Sequence, residues 1–161
     1  MPRTALIVAV PEAEAAVGDV RRQHDPSAAL GVPAHLTILF PFLDPDAIDE
    51  AAIDEVLAAH TAFDFELVSV ESFPDGGTYL APTCAERFVA LTESVWRRWP
   101  GNPPYGGTFD TVVPHLTLST EPLECELELP IAARADAVTL IEEQAGGRWL
   151  SRRRFSLRAE S

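Results

Sequence analysis

Two stretches of the chain repeat one triplet: Ala34-His35-Leu36-Thr37-Ile38-Leu39-Phe40 and Pro114-His115-Leu116-Thr117-Leu118-Ser119. Imidazole is the side chain whose ordinary pKa lets it act as acid or base near neutral pH. Two of them allow concerted work: one takes a proton from a nucleophile while the other, protonated, gives one to a leaving oxygen. Phosphodiester chemistry needs both, because a ribose alkoxide is a poor leaving group. The phosphoryl oxygens also gather charge that calls for hydrogen-bond donors, and the hydroxyls of Thr37 and Thr117 stand two residues from each imidazole. His35, Thr37, His115 and Thr117 are therefore the candidate catalytic set. One His-x-Thr on a strand is commonplace; two copies with the same apolar sequel are not.

Both stretches alternate with period two, the pattern of a half-buried strand. Side chains at i and i+2 then share a face, about 6.5–7 Å apart. His35 and Thr37 point one way while Leu36, Ile38 and Phe40 point into a core. His115, Thr117 and Ser119 repeat this, with Leu116 and Leu118 opposite. The histidines lie eighty positions apart (35 and 115), so only the fold can bring them face to face.

The remaining elements are read from their punctuation. A strand spans Thr4 to Val10. A helix opens at Pro11, with Glu12 and Glu14 in its first turn and Arg21, Arg22 and His24 in its last, as the helix dipole favours. Asp25-Pro26 and Gly31-Val32-Pro33 break the chain before the first motif. A second helix runs from Asp46 to His60, with Ile48, Ala52, Ile53, Val56 and Leu57 at helical spacing. A strand through Phe63, Phe65, Leu67 and Val70 turns at Asp75-Gly76-Gly77 into Thr78–Ala81. A third helix spans Cys84 to Trp99. The irregular stretch from Pro100 to Phe109 leads to the second motif. Leu127 to Ile131 is extended, and Val138–Ile141 pairs with Trp149–Leu157 in a hairpin. Strands and helices do not alternate regularly, which indicates α+β with antiparallel sheets.

The formal net charge is −13, and all twelve cations are arginines. Such a surface repels long polyanions, which bind by neutralising many phosphates, but does not bar a small phosphate ester. No run of about 18 apolar residues marks a membrane span. The first apolar run is short and followed by acidic residues, so it reads as a strand and not a signal peptide, and a cytoplasmic location is expected. Cys84 and Cys125 lack metal or redox spacing; they read as buried thiols, with a disulfide left open.

The paired motifs resemble those of the 2H phosphoesterase superfamily, which includes the LigT-like 2′-5′ RNA ligase and cyclic phosphodiesterase families. The strongest matches are Val32-Pro33-Ala34-His35-Leu36-Thr37 and Phe109 to Leu118. The resemblance implies one domain over residues 1–161, built of two pseudo-symmetric lobes. It implies a bilobal α+β fold, two antiparallel sheets facing a central groove with helices outside. It implies cleavage of 2′,3′-cyclic phosphates or 2′-5′ linkages without a metal or other cofactor, with His35, Thr37, His115 and Thr117 as the catalytic residues. The expected partner is a small nucleotide or oligonucleotide, acted on by a monomer. A non-catalytic module that keeps the groove to hold a nucleotide or a protein is the reading from another class.

Softer candidates surround these four. Tyr79, Tyr105, Phe42 or Phe109 could stack on a base. Of Arg152, Arg153 and Arg154, period two places Arg153 on the face of Trp149, Phe155 and Leu157, where it could bind phosphate. Asp44, Asp46 and Asp49 invite a metal reading with His35 but fit a helix N-terminus better. The charge balance makes the first prediction: binding to a long RNA duplex at physiological salt is weak, with no submicromolar affinity in a filter or gel-shift assay.

Overall fold

The structure, a computed structural model, describes residues 2–108 and 111–159. Its strands are β1 (Thr4–Ala9), β2 (His35–Leu39), β3 (Phe63–Ser72), β4 (Thr78–Pro82), β5 (Leu116–Ser119), β6 (Ile131–Ala135), β7 (Ala137–Glu143) and β8 (Trp149–Ser156). Its helices are α1 (Glu14–His24), α2 (Pro26–Ala29), α3 (Glu50–Leu57) and α4 (Ala85–Arg98). All strands join one antiparallel, curled sheet in the order β6-β3-β4-β5-β2-β1-β7-β8. The fold is α+β, and the two motif strands sit side by side at its centre.

Four strands lie on each side of that centre, and the joint between the halves is a single register pair, Leu36 with Leu116. The helices cross the joint. α1 follows β1 in the chain but packs on β5, and α4 follows β4 but packs on β2. Each half thus braces the other half's motif strand. At one end the sheet curls nearly shut. β6 passes to β7 through Asp136 alone, Leu157 N–H donates to the Asp136 carbonyl, and Ala62 N–H donates to that of Arg158.

Leu36, Ile38, Leu39, Leu116 and Leu118 are buried in one core with Phe88, Leu91 and Val95 of α4 and Val17 of α1. Phe88 meets Phe63 and Phe65 edge-on at 5.1 and 5.0 Å between centroids, an arrangement that the ring quadrupoles favour. A smaller cluster of Ala5, Ile7, Val32, Ile141 and Trp149 lies on the opposite sheet face.

Three of the β-bulges among the described residues each overturn one extrapolation from strict period two. Leu6 pairs with Leu39 but Ile7 with Thr37, so Ile38 is an extra residue. Phe40 consequently leaves the main core and packs edge-on to Trp149, 6.1 Å between centroids, in the smaller cluster. Thr78 pairs with Ser119 but Tyr79 with Thr117, so Leu118 is extra and Ser119 is buried, not presented beside Thr117. Leu140 pairs with Arg153 but Ile141 with Ser151, so Arg152 is extra. Trp149 therefore belongs to the smaller cluster and Phe155 to the main core, not to one face as period two implied.

Other element boundaries also shift. The second helix begins at Glu50, with the Asp49 carboxylate accepting from Ala52 N–H; residues 45–47 form a separate 3-10 turn. Residues 127–130 are outside any strand, and the extended segment is β6. Asp25, taken as a break, caps α2 by accepting from Ser27 N–H. Cys84 and Cys125 are half-buried free thiols. Among the described residues no helix is long and apolar enough to cross a membrane.

The Ile38 bulge has its own support. A bulge residue drops out of the ladder, and here the buried Thr92 hydroxyl of α4 donates to the Ile38 carbonyl at 2.6 Å. Thr92→Val keeps the shape and strands that carbonyl. It is expected to lower unfolding stability in urea by about 1–3 kcal/mol.

Candidate active site

Antiparallel pairing centred on Leu36 and Leu116 sets Thr37 across from His115 and His35 across from Thr117. Directly opposed residues have Cβ atoms about 4.5–5.5 Å apart, and diagonal ones lie about 7–8 Å apart. The two histidines are the diagonal pair. Each imidazole thus has the other motif's threonine beside it, and one small group can lie between all four side chains. All four are half-buried on the face away from the main core.

Both rings are held the same way. His35 Nδ1 is 2.7 Å from the Pro33 carbonyl, and His115 Nδ1 is 2.6 Å from the Val113 carbonyl. A carbonyl only accepts, so Nδ1 must carry the proton in each neutral ring, leaving Nε2 as the basic nitrogen. The sequence builds this bond with proline, Pro33 before Ala34 in one motif and Pro114 after Val113 in the other. Its fixed φ narrows the turn that brings a side chain back to the carbonyl two residues earlier.

The approach to His35 is anchored from behind. Ala34 N–H donates to Glu14 Oε1 at 2.8 Å, and the Ala34 carbonyl accepts from Val10 N–H at 2.8 Å. Arg21 and Asp25 form a buried ion pair at 3.1 Å, and the Arg21 guanidinium also donates to Ser27 Oγ and the Val32 carbonyl. Among the described residues no buried side-chain nitrogen or oxygen lacks a hydrogen-bond partner, the condition under which a buried charge pair is tolerated.

The electrostatics differ between the two rings. Burial drives His35 from 6.5 down to about 4; the Pro33 and Asp25 oxygens oppose this, while Arg21 and His115 add to it. That His115 acts on His35 at all accords with the diagonal placement. Burial lowers His115 too, with the Val113 carbonyl opposing. Burial therefore favours the neutral form of both imidazoles in the free protein, and strongly so for His35.

Aromatic rings wall the His115 side. Phe73 and Tyr79 stack at 4.2 Å, and both meet His115 edge-on, at 4.9 and 5.6 Å. Tyr105 lies near-parallel to His115 at 6.4 Å, and burial raises the pKa of its hydroxyl, with Thr37 opposing. Of the sequence candidates, the fold gathers His35, Thr37, His115, Thr117, Tyr79 and Tyr105. Arg153 is not among them. It pairs with the buried-core residue Leu140, lies over the Phe155 ring at 4.9 Å and binds Glu50 at 3.1 Å. The arginine on the histidine face is Arg154, in register with Thr139, Ile7 and Thr37, and bound to Asp136 at 3.0 Å. Three strand spacings, about 14 Å along the sheet, separate β8 from β2.

Phe42 is buried edge-on to Trp99 at 5.3 Å, and Phe109 lies outside the described residues. His60 bonds Ser94 Oγ at 2.8 Å and lies far in sequence from either motif. Sequence reasoning missed Phe73; its signal was an aromatic at the base of the Asp75–Gly77 turn, where Phe73 N–H donates to the Gly77 carbonyl. Among the described residues no three His, Cys, Asp or Glu side chains gather as metal ligands do.

Comparisons with known proteins agree with this fold. A family model described as the 2′-5′ RNA ligase superfamily matches residues 9–147. The chain therefore belongs to the 2′-5′ RNA ligase superfamily, within the 2H phosphoesterases. No curated protein sequence matches it. Among solved structures, TT0787 of Thermus thermophilus superposes with a TM-score of 0.71 at 22% identity, over 99% of this chain and 100% of that one. E. coli LigT complexed with 3′-AMP superposes with a TM-score of 0.69 at 17% identity, over 98% and 99%. E. coli LigT complexed with NADP+ gives 0.69 at 16%, over 97% of each chain.

The ring geometry predicts an NMR outcome. Long-range 15N spectra will show the proton on Nδ1 of both neutral rings, with His35 titrating at about 4 and His115 below the ordinary histidine range. A histidine whose folded pKa lies below its unfolded value takes its proton more readily when unfolded. His35 therefore withdraws stability as pH falls from 6.5 toward 4, and no further below.

Proposed function

We propose that this protein is a metal-independent phosphoesterase that opens 2′,3′-cyclic phosphates or cleaves 2′-5′ phosphodiester bonds of small nucleotides or RNA ends. The observation that carries this reading is the antiparallel meeting of two His-Leu-Thr motifs, each with Nδ1 tied to a carbonyl and Nε2 left for chemistry. A cyclic phosphate placed between the motifs would accept hydrogen bonds from Thr37 and Thr117 on its non-bridging oxygens. Neutral His35 takes a proton from water as its oxygen bonds to phosphorus. Protonated His115 gives its proton to the ribose oxygen as the phosphorus–oxygen bond to it breaks. The products are a phosphomonoester and a free ribose hydroxyl, with the two histidines in exchanged protonation states that solvent restores.

The strong lowering of His35, to about 4, supports its role as base and leaves the role of acid to His115. An anion between the rings favours their charged forms, so the substrate itself promotes protonation of His115. In the reverse direction the same groups exchange roles and join a hydroxyl to a cyclic phosphate, which is 2′-5′ ligation. Nucleotides seat in E. coli LigT, which has been solved with 3′-AMP, ATP and NADP+. That supports a small-nucleotide partner here, as does the net charge of −13.

Purified protein assayed against 2′,3′-cyclic nucleotides and 2′-5′ dinucleotides tests the reading. Turnover persists in EDTA. His35→Ala and His115→Ala each lower it by about 10²–10⁴-fold with little change in thermal midpoint. Their losses are not additive, because they serve one step. The profile of kcat/KM is a bell with its optimum displaced to the acid side of the ordinary histidine range, since the free-protein pKa values set its limbs and both are lowered. Binding without turnover identifies a non-catalytic nucleotide module. Loss of rate in EDTA, restored by a divalent ion, identifies a metal enzyme.

A further inference from the structure

The two imidazoles are held by matching bonds but not by matching surroundings. The backbone around the Pro33 carbonyl is braced: Arg21 donates to the Val32 carbonyl, Ala34 N–H donates to Glu14, and the Ala34 carbonyl accepts from Val10 N–H. The Val113 carbonyl that holds His115 lies outside any strand, and its residue is 43% exposed. Among the described residues, 112–114 make no hydrogen bond other than that one. The torsion that turns an imidazole about its bond to Cβ is broad, so one bond to an unbraced carbonyl does not fix the ring.

Aromatic rings supply what the backbone lacks. Phe73 meets His115 at 4.9 Å with the planes 87° apart. Tyr79, stacked on Phe73 at 4.2 Å, meets His115 at 5.6 Å and 69°. Crossed rings resist the turning of the imidazole, because rotation gives up the edge-to-face contact. Phe73 is itself anchored: its N–H donates to the Gly77 carbonyl at 2.8 Å, and its carbonyl accepts from Gly76 N–H at 2.9 Å. The turn is fastened to the chain that leaves β5. The buried Thr78 hydroxyl donates to the Glu121 carbonyl at 3.0 Å and accepts from Leu123 N–H at 3.1 Å. Gly76 sits so close to Pro122 that a Cβ there would meet its ring at 3.1 Å. The hairpin that carries both aromatic rings is thus tied to the strand that carries His115.

We infer that Phe73 is a positioning residue that, with Tyr79, holds the His115 imidazole against the Val113 carbonyl and so keeps Nε2 aimed at the reacting phosphate. The inference rests on the phosphoesterase reading above. The same rings withhold water from His115, whose pKa burial lowers. The titratable groups that face it are His35 from β2, Tyr79 from β4 and Tyr105 from the loop. Glu71 shares the face through its pairing with Tyr79, and Asp75 in the turn accepts from Gly77 N–H at 2.9 Å.

Phe73→Ala opens that side of the imidazole, and Phe73→Leu keeps apolar bulk without the flat ring. In 15N spectra of the free protein, both are expected to move part of the neutral His115 population to the Nε2–H tautomer. Phe73→Ala also raises the His115 midpoint toward the ordinary histidine value, while His35 keeps its tautomer. With a 2′,3′-cyclic nucleotide kcat falls about two- to tenfold, the scale of one aromatic pair, at little-changed KM. In Phe73→Ala the basic limb of the kcat/KM profile moves up while the acid limb stays. Phe73→Tyr, which keeps the ring, restores rate and tautomer. An unchanged His115 in the spectra of Phe73→Ala overturns the inference, and so do altered spectra at wild-type kcat. A rise in KM at constant kcat overturns it too and makes Phe73 a surface for the base. Loss of the Nδ1 preference at His35 as well overturns it, as a general loosening of the site. Wild-type protein that turns over no cyclic phosphate or 2′-5′ linkage overturns the phosphoesterase reading, and the spectra of the free protein still decide whether Phe73 holds the ring.

Discussion

The arrangement depends on one narrow joint, the pairing of Leu36 with Leu116 between β2 and β5. Slip it by one residue and every motif side chain exchanges faces. So short a ladder would not hold its register by backbone bonds alone. Burial holds it: Leu36, Ile38, Leu116 and Leu118 are at most 2% exposed, and the helices that cover them come from the opposite halves of the sheet. Moving one motif against the other would uncover that core. The placement of the histidines is thus a consequence of apolar packing on the far side of the sheet.

The bulges make this possible. A regular strand after Thr37 would aim Phe40 into the main core, and after Thr117 would put Ser119 on the histidine face. Ile38 and Leu118 each insert one residue directly after the motif threonine. Both strands therefore present His and Thr, then turn their next residues back into the core. The two motifs match in their bulges as well as in their triplets, and in the carbonyl that holds each ring.

The electrostatics suit a small anion better than a long one. The protein as a whole is strongly acidic, and the arginines around the sheet are engaged: Arg3 with Glu143, Arg21 with Asp25, Arg152 and Arg153 with Glu50, Arg154 with Asp136. Between the motifs stand neutral groups, two imidazoles of lowered pKa and hydroxyls of Thr37, Thr117 and Tyr105. Burial is the main influence on both rings and drives His35 down to about 4, while the Arg21–Asp25 pair behind it acts on His35 in opposing directions.

The sequence alone identified His35, Thr37, His115 and Thr117, because a repeated triplet with alternating apolar neighbours is a local pattern. It also located the strands, turns and helices of most of the chain, since caps, prolines and periodicity act within a few residues. What it could not contain was register. Period two is blind to an inserted residue, so Phe40, Ser119 and the face of Trp149 relative to Arg153 and Phe155 were misassigned where a bulge intervened. Nor could local pattern join two motifs eighty positions apart, bring Phe73 and Tyr105 to the His115 ring, or make the two imidazoles unequal. Those followed from the tertiary structure, because pairing across β2 and β5, the exchanged packing of α1 and α4, and the burial that shifts a pKa all arise between residues distant in the chain.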